Sequence, residues 1–402
     1  GALSTSHVPF PFAEDIPGTE AGHDDRWLLL HPHDTVQVRD GRAFDAGTGA
    51  TAQTVHPWPS TVAGALASAK GGLGGEPASV RGPVLARRKG RRQGGNATWE
   101  PYFPVPADLV RPHGDGDVRR MSVAERDAGA TTDLEEEASG HGATDLRGFT
   151  VPKGVEDPEP VGGWMSGAAL RDYLHGDLVA QGAKVSVDRL ELAPEEPLEP
   201  ETRVGLAVEH ATRTARHGLL YRSTHLRLRE RWAFAAHVSP HPEPGRHRPL
   251  DQVTGPVRFG GLARLADITP APGMDWPERP PSFPEGRLLL YVATPGVWPS
   301  GWVPPIRGSG AELVAARVEE PLAVATASPS RDWEAFKESR ALYYAVPPGA
   351  VYLLKFPNTD DAERWAVRHH GRALPLSERI PRTREISLAT AGFGVVLTGV
   401  WS

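Results

Sequence analysis

Residues 201–234, ETRVGLAVEHATRTARHGLLYRSTHLRLRERWAF, predict two β-strands joined by a basic connection. Apolar and polar side chains alternate along 202–208 and again along 226–234, which is the period-2 pattern of a strand with one face toward a core. The connection, HATRTARHG at 210–218, is cationic and contains no acidic residue. The stretch therefore predicts a hairpin whose polar side meets an anion.

The side chains of this hairpin that suit an anion are arginines and histidines, because arginine binds phosphate groups and also stacks on unpaired bases. The candidates are Arg203, His210, Arg213, Arg216 and His217. The alternation also predicts that Arg227, Arg229 and Arg231 share one face of the second strand. RNA and an acidic neighbouring protein both stay open as the partner of that stripe, and a solvated loop is the alternative for the connection.

The composition restricts the class of protein. A chain of 402 residues predicts two domains, and 44 Gly with 40 Pro predict short strands, many turns and long loops. The net charge of −6 means that any nucleic-acid site is a local basic patch. The absence of Cys excludes disulfides, zinc-thiolate sites and cysteine nucleophiles. No membrane span and no secretion signal are expected, so the sequence predicts a cytoplasmic protein.

The order of apolar segments predicts an α+β fold with antiparallel sheets, because strands dominate and no regular βαβ alternation occurs. Strands are predicted at 26–31, 79–88, 287–293, 311–327, 340–346 and 351–356. Helices are predicted at 60–69 (with Ser60 as N-cap), 164–178 and 360–370. Residues 111–160 are rich in Gly, Asp and Glu, and they predict a long mobile insertion.

Several short segments together resemble one family, and they follow one another in the family's order. They are DGRAF at 40–44, PWPSTVAGAL at 57–66, YFPVPADLV at 102–110, ETRVGLAV at 201–208 with Thr212, Ala215 and GLLY at 218–221, GG at 260–261 with Arg264, and VPPGAVY at 346–352. They resemble the third subunit of the Cmr-type (type III-B) CRISPR effector complex, a RAMP-superfamily protein of the Cas-five group. Ala43 departs from the family, which tends to have Pro there. The acidic insertion and a Pro/His-rich linker at 239–254 depart from it too.

The resemblance implies two ferredoxin-like (RRM-like) domains, which we expect at 1–238 and 239–402. It implies a thumb-like hairpin at 201–234 that lies against the CRISPR RNA, and a role in holding the 5′ repeat-derived handle of that RNA in antiviral defence. The implied protein partners are the large Cas-ten-type subunit and backbone RAMP subunits of the same complex.

Two further groups of residues are candidate RNA contacts. The densest basic run of the chain comprises Arg87, Arg88, Lys89, Arg91 and Arg92, which suit phosphate binding through charge and counterion release. The second group comprises Gly260 and Gly261, which let backbone approach a phosphate, with the flanking Arg258 and Arg264. A solvated loop and a structural turn are the respective alternatives.

The sequence predicts no enzyme, no cofactor and no metal site. Its glycine-rich segments fit neither a Walker A motif nor a dinucleotide fingerprint, and its histidine pairs lack supporting acidic clusters. The alternative function is a RAMP-type endoribonuclease that processes CRISPR RNA, with His210 and His217 as the candidate general acid and base.

Overall fold

The computed structural model describes thirteen segments of the chain. They are residues 26–38, 56–69, 79–91, 97–112, 116–125, 146–151, 158–208, 215–239, 254–261, 264–298, 300–326, 341–374 and 391–402. The described residues form a mixed α/β fold in which nearly all strand pairs are antiparallel and helices are few, as the sequence predicts.

The strands of the first half are β1 (Arg26–Pro32), β2 (Thr35–Val36), β3 (Ser79–Arg91), β4 (Ala97–Pro104), β5 (Leu109–Arg111), β6 (Asp117–Arg120), β7 (Ser122–Val123), β8 (Phe149–Thr150), β9 (Glu159–Pro160), β10 (Trp164–Ser166), β11 (Lys184–Ser186), β12 (Leu198–Val208), β13 (Ala215–Leu228) and β14 (Trp232–Ser239). Those of the second half are β15 (Val257–Arg258), β16 (Leu265–Pro270), β17 (Arg287–Val292), β18 (Glu312–Arg317), β19 (Leu322–Thr326), β20 (Ala341–Ala345), β21 (Val351–Lys355), β22 (Arg372–Ala373) and β23 (Val395–Val400).

Two large sheets organise these strands. The first has seven strands in the order β10-β4-β3-β14-β1-β16-β15, and the second has five in the order β18-β21-β17-β23-β22. Strands β15 and β16 therefore pair within the first sheet, although they follow residue 239 in the chain. Smaller sheets are β11-β6-β5-β9, β12-β13-β2, β19-β20 and β7-β8.

Three α-helices and two short 3-10 helices are described, the latter at Val187–Leu190 and Pro284–Gly286. Helix α1 (Pro59–Ala67) begins with Pro59 after Trp58, so Ser60 is not its N-cap. Helix α2 (Gly167–His175) is shorter than predicted, because 164–166 form β10. It is capped by the Ser166 hydroxyl, which accepts from the backbone of Ala169.

Helix α3 (Thr359–His369) confirms the third predicted helix. The Asn358 side chain caps it by accepting from the backbone N–H of Asp361. Its apolar set, Trp365 with Ala362 and Ala366, is buried as the 3.6-residue period predicts. None of the described helices combines the length and apolarity that a membrane crossing needs.

The central strands of both sheets are buried on both faces. In β1, Leu28 and Leu30 pack into a first core that also contains α1, whereas Leu29 packs into a second core on the opposite face. In β17, Leu289 packs into that same second core and its neighbours pack into a third core with α3. The second core therefore lies between the two large sheets, which explains why both central strands read as nearly continuous apolar runs.

A buried ionic group lies at the edge of the second core, and we call its three residues, Asp108, Arg120 and Tyr173, the Asp108 triad. The Arg120 Nε donates to Asp108 Oδ2 at 3.1 Å, and the Tyr173 hydroxyl donates to Asp108 Oδ1 at 2.7 Å. The Arg120 guanidinium also lies 4.5 Å from the Tyr173 ring centroid. Burial raises the pKa of Tyr173 well above its ordinary value. The triad connects β6 to α2 and to the segment before β5.

Three sequence predictions need correction here. The predicted strand at 226–234 is the end of β13 and the start of β14, separated by a turn in which Arg231 has φ of 71°. The predicted strand at 311–327 is two strands, β18 and β19. The predicted insertion at 111–160 contains β6 to β9 and contributes buried residues such as Val118 to the core. Residues 113–115, 126–145 and 152–157 of the predicted insertion lie outside the described segments.

Candidate functional site

The hairpin β12–β13 carries the candidate site on one face. The register pairs Glu201 with His225 and Arg203 with Ser223, and β2 pairs Thr35 with Arg227. Paired residues of antiparallel strands point to the same side of a sheet, so these polar side chains share one face.

The opposite face of the hairpin is apolar near its base and carries Thr202 and Thr224 further along. Leu198 and Leu226 are buried in the first core, but Val204 is 61% exposed. Among the described side chains of the hairpin, those at its base are therefore packed against the body in the way that the alternation predicts.

Three arginines converge on one carboxylate at the base of the hairpin. Arg203 and Arg227 each donate to Asp34, at 2.9 Å in both cases, and Arg264 donates to it at 2.6 Å. Glu201 bridges the first two, accepting from each Nε at 2.7 Å. We call these five residues the Asp34 cluster. Two predicted contacts, Arg203 and Arg264, thus meet in one place although they lie far apart in the chain.

The arginines set the charge state of both acids in the Asp34 cluster. Hydrogen bonding from Arg203, followed by that from Arg227, lowers the pKa of Asp34 far below its ordinary value. The same two guanidinium groups lower the pKa of Glu201. Both acids are therefore ionised at neutral pH, and the arginines are bound to full negative charges.

A buried histidine lies on the same face of the hairpin. His225 Nδ1 is 3.0 Å from the Thr35 hydroxyl, and its Nε2 is 3.1 Å from the Ser223 hydroxyl. Burial lowers the pKa of His225, and Arg203 and Arg264 lower it further. The ring is therefore neutral at pH 7 and serves as a hydrogen-bonding support.

Gly260 and Gly261 form a turn that packs closely against the backbone of Gln37. Gly261 donates its backbone N–H to Gln37 O at 2.7 Å, so this amide is not available to a phosphate. Gly260 has φ of 83°, and a Cβ there would lie 2.8 Å from the same Gln37 oxygen. Arg258 is exposed on β15.

The basic run continues strand β3 and pairs with β4, through a register shift between Arg88 and Gly90. Arg87 lies 5.9 Å from the Trp232 ring, and Lys89 Nζ is 2.8 Å from Glu100 Oε2. Arg88 is exposed, and its backbone carbonyl accepts from Arg231. The described part of the run is thus a paired strand end, in which Lys89 has an acidic partner and the Arg88 side chain is exposed.

The predicted arginine stripe is not a strand face. Arg227 belongs to the Asp34 cluster, Arg229 pairs with Glu199, and Arg231 occupies the turn before β14. Three predicted contacts lie outside the described residues: Arg92, His210 and Arg213. The backbone of three others lies in β3 or β13: Arg91, Arg216 and His217.

Sequence reasoning missed Asp34, and it left the role of Arg227 open. Asp34 stands alone in the sequence between His33 and Thr35, and no local pattern connects it to arginines that follow 169 to 230 residues later. The pairing of Arg227 with Thr35 is visible only once β2 joins the hairpin sheet. Within the described segments, no three His, Asp or Glu side chains are grouped as a metal site requires.

A family model described as "CRISPR-associated protein (Cas_Cmr3)" matches residues 28–401. The chain belongs to the Cas_Cmr3 family. The match confirms the family that the sequence segments resemble, and it includes most of β1, the hairpin and all five residues of the Asp34 cluster. No curated protein matches the chain.

Solved structures similar to this Cas_Cmr3 chain come from CRISPR complexes. One is a cryo-EM structure of the type III-B Cmr-beta bound to cognate target RNA and AMPPnP, with 13% identity, a TM-score of 0.43 and coverage of 82% of this chain and 86% of that chain. A second, of Cmr-beta bound to cognate target RNA, has 14% identity, a TM-score of 0.42 and the same coverage. A third, the Csm3-Csm4 subcomplex of the type III-A interference complex, has 9% identity and a TM-score of 0.34, and covers 83% of this chain and 94% of that chain.

Proposed function

We propose that this chain is a non-catalytic, RNA-binding subunit of a type III-B CRISPR effector ribonucleoprotein. In this proposal it holds the 5′ repeat-derived handle of the CRISPR RNA and joins the large Cas-ten-type subunit to the backbone RAMP subunits. It acts in the cytoplasm in defence against viruses. Membership of the Cas_Cmr3 family supports the complex, and the form of the hairpin supports the contact with RNA.

The observation that carries the RNA contact is the hairpin β12–β13. Its strands have 11 and 14 residues, so the shorter one spans about 36 Å at the usual rise of a strand. Its base is packed in the first core, and its polar face begins with the Asp34 cluster. A long arm with arginines on its polar face suits a handle without base pairs, which exposes both phosphates and bases.

We further propose that each large sheet is built around a ferredoxin-like unit, in which strands numbered by chain order lie in the spatial order 4-1-3-2. In the first sheet, β1, β3, β14 and β16 have this order, with α1 after β1. In the second sheet, β17, β18, β21 and β23 have it, with α3 after β21. The first domain then continues through β16, and the second begins at β17. The domain boundary therefore lies after residue 270 rather than at 238.

A charge reversal on the hairpin tests the contact with RNA. We expect Arg213→Glu with Arg216→Glu to weaken guide retention in the purified complex, most strongly at low salt, because lost phosphate contacts reduce counterion release. The control is Arg171→Glu, which changes an exposed arginine on α2 that pairs with Asp172. Equal guide binding by the double variant and the control across a salt series would reject the role of the hairpin.

Incubation of the purified chain with a repeat transcript tests the non-catalytic assignment. We expect the transcript to remain intact. Cleavage that disappears in His210→Ala or His217→Ala would instead establish the endoribonuclease alternative. A native pull-down, with guide crosslinking in the assembled complex, identifies the protein partners and would reveal a scaffold that contacts only proteins.

A further inference from the structure

The Asp34 cluster has one more positive charge than negative, since three guanidinium groups meet two carboxylates. The cluster is also open to water. The exposed fractions are 32% for Arg203, 43% for Arg227 and 22% for Arg264. A group built only to stabilise the fold needs no third arginine on one carboxylate. The excess charge is therefore available to a further anion.

The arginines also keep donors for that anion. A guanidinium has five N–H groups in a planar fork. In contacts to described residues, Arg203 and Arg227 each use Nε and Nη2, which leaves both Nη1 groups. Arg264 uses Nη1 on Asp34, and among its contacts to described residues this leaves Nε and Nη2. These donors belong to three different segments of the chain that meet at Asp34. A ligand that contacts all three arginines must therefore bind at the Asp34 cluster.

The positions of the arginines are set before any ligand arrives. Glu201 holds two of them through its two oxygens, and β12 and β13 fix their spacing. The third is fixed through its loop, because Phe259 N–H donates to Arg264 O at 2.7 Å and Gly261 N–H donates to Gln37 O. Because little conformational entropy remains to be lost, the site is preorganised for binding.

The bound carboxylate indicates which ligand chemistry fits. The two oxygens of Asp34 accept from three guanidinium groups at 2.6–2.9 Å, which is the length of charge-assisted hydrogen bonds. The two non-bridging oxygens of a phosphodiester offer the same paired acceptors to a guanidinium fork.

We propose that the outer face of the Asp34 cluster binds one phosphodiester group of the guide RNA, at the base of the hairpin. Asp34 and Glu201 are positioning residues that hold the three arginines toward it. The proposal rests on the proposed RNA-binding function and deepens it. It adds Arg227 to the site, and it assigns a contact at the hairpin base in addition to those expected along the connecting segment.

Arg227→Gln tests the site directly in the full chain. We expect about tenfold weaker binding of a single-stranded handle RNA at low salt, and a salt-dependence slope that is smaller by about 0.7, the value for one phosphate contact on a single strand. The matched control is Arg229→Gln. Arg229 follows on the same hairpin and pairs with Glu199, outside the cluster, so we expect its slope to equal that of the wild type.

A series of handle RNAs with one neutral methylphosphonate at a time then locates the phosphate. At one linkage, the neutral group should weaken RNA binding by the wild type and by the Arg229→Gln variant about tenfold. The same neutral group should weaken RNA binding by the Arg227→Gln variant less than about twofold. RNA binding by the Arg264→Gln variant should also become insensitive to the neutral group at that linkage. This second variant keeps the test decisive if Arg227→Gln fails to fold. Thermal unfolding of each variant is measured in parallel.

The outcomes separate the two proposals. If the wild type binds no handle RNA, the proposed function fails. If the wild type binds but all linkages affect Arg227→Gln and the wild type equally, only the phosphate site is rejected. If Arg227→Gln lowers the unfolding temperature but leaves the salt-dependence slope of RNA binding unchanged, the cluster serves only to hold the hairpin. If the slope is unchanged and the variant loses a protein partner, the surface binds an acidic protein.

Discussion

Two arginine–aspartate groups in this chain differ in burial and in the number of partners. In the Asp108 triad, the arginine and aspartate side chains are 2% and 0% exposed, and each charge is compensated by one opposite charge. In the Asp34 cluster, the carboxylate is 37% exposed and three arginines share it. The residue types are the same, but the surroundings give them different tasks.

The difference follows from the cost of removing a charge from water. A buried charge is expensive unless an opposite charge and hydrogen bonds compensate it, so the Asp108 triad is a structural unit that should tolerate the loss of one partner poorly. A half-exposed charge keeps much of its hydration, so the ion pairs of the Asp34 cluster add little stability. The arginines of the cluster also stay accessible to a further anion while the two acids hold them. Substitutions in the Asp108 triad should therefore destabilise the protein more than substitutions in the Asp34 cluster.

The largest loss of stability is expected for Arg120→Met. Removal of the guanidinium leaves the Asp108 carboxylate buried without a positive partner, which should lower the free energy of unfolding by about 3–5 kcal/mol. Urea denaturation followed by tryptophan fluorescence measures the change. The double variant Asp108→Leu with Arg120→Met removes both charges and should recover part of the loss. If Arg120→Met were as stable as the wild type, the proposed difference between the Asp108 triad and the Asp34 cluster would be wrong.

An intermediate effect is expected for Tyr173→Phe. The hydroxyl donates to the Asp108 carboxylate that pairs with Arg120, so its removal should cost about 1.5–3 kcal/mol, the range for a hydrogen bond to a charged group. The same denaturation experiment applies. Tyr291→Phe is a suitable control, because this equally buried hydroxyl donates to the neutral carbonyl of Pro104. We expect a smaller loss there, and an equal loss in both would contradict the charge argument.

The smallest effect is expected for Asp34→Asn, at most about 1 kcal/mol at pH 7. The pKa of Asp34 is lower in the folded chain than in the unfolded chain, chiefly through Arg203. Its contribution is therefore present above the unfolded pKa of about 3.9 and disappears as the pH falls through the folded pKa. The difference in stability between wild type and variant should thus begin to shrink below about pH 4 and continue to shrink as the pH falls toward the folded pKa. A difference that grows on acidification would contradict the assigned ion pairs.

The hairpin illustrates how far local patterns reach. Alternation located β12 and the end of β13 correctly, but it continued through the turn at Arg231 because this turn contains no Gly or Pro to signal it. The basic run appeared suited to a loop, yet β4 pairs with it along most of its length. In both cases the pattern reports side-chain polarity, whereas the choice of strand or turn depends on which neighbour supplies backbone hydrogen bonds.

Residues 111–160 contain strands and buried side chains that their composition does not predict. Their composition predicts a mobile insertion, but Val118 and Arg120 are buried because β6 pairs with β5 and β11. A buried arginine has no signature in composition, since its burial depends on Asp108 and Tyr173 being brought beside it.

The sequence by itself determined the family, the antiparallel α+β character, the central apolar strands and the amphipathic helices. These follow from short motifs and from periods of two or 3.6 residues, which act over a few positions in the chain. Only the tertiary structure decided that Asp34 meets Arg203, Arg227 and Arg264, which lie 169, 193 and 230 residues further on. Sheet pairing brings such distant charges together, and no local pattern records which strands will be neighbours.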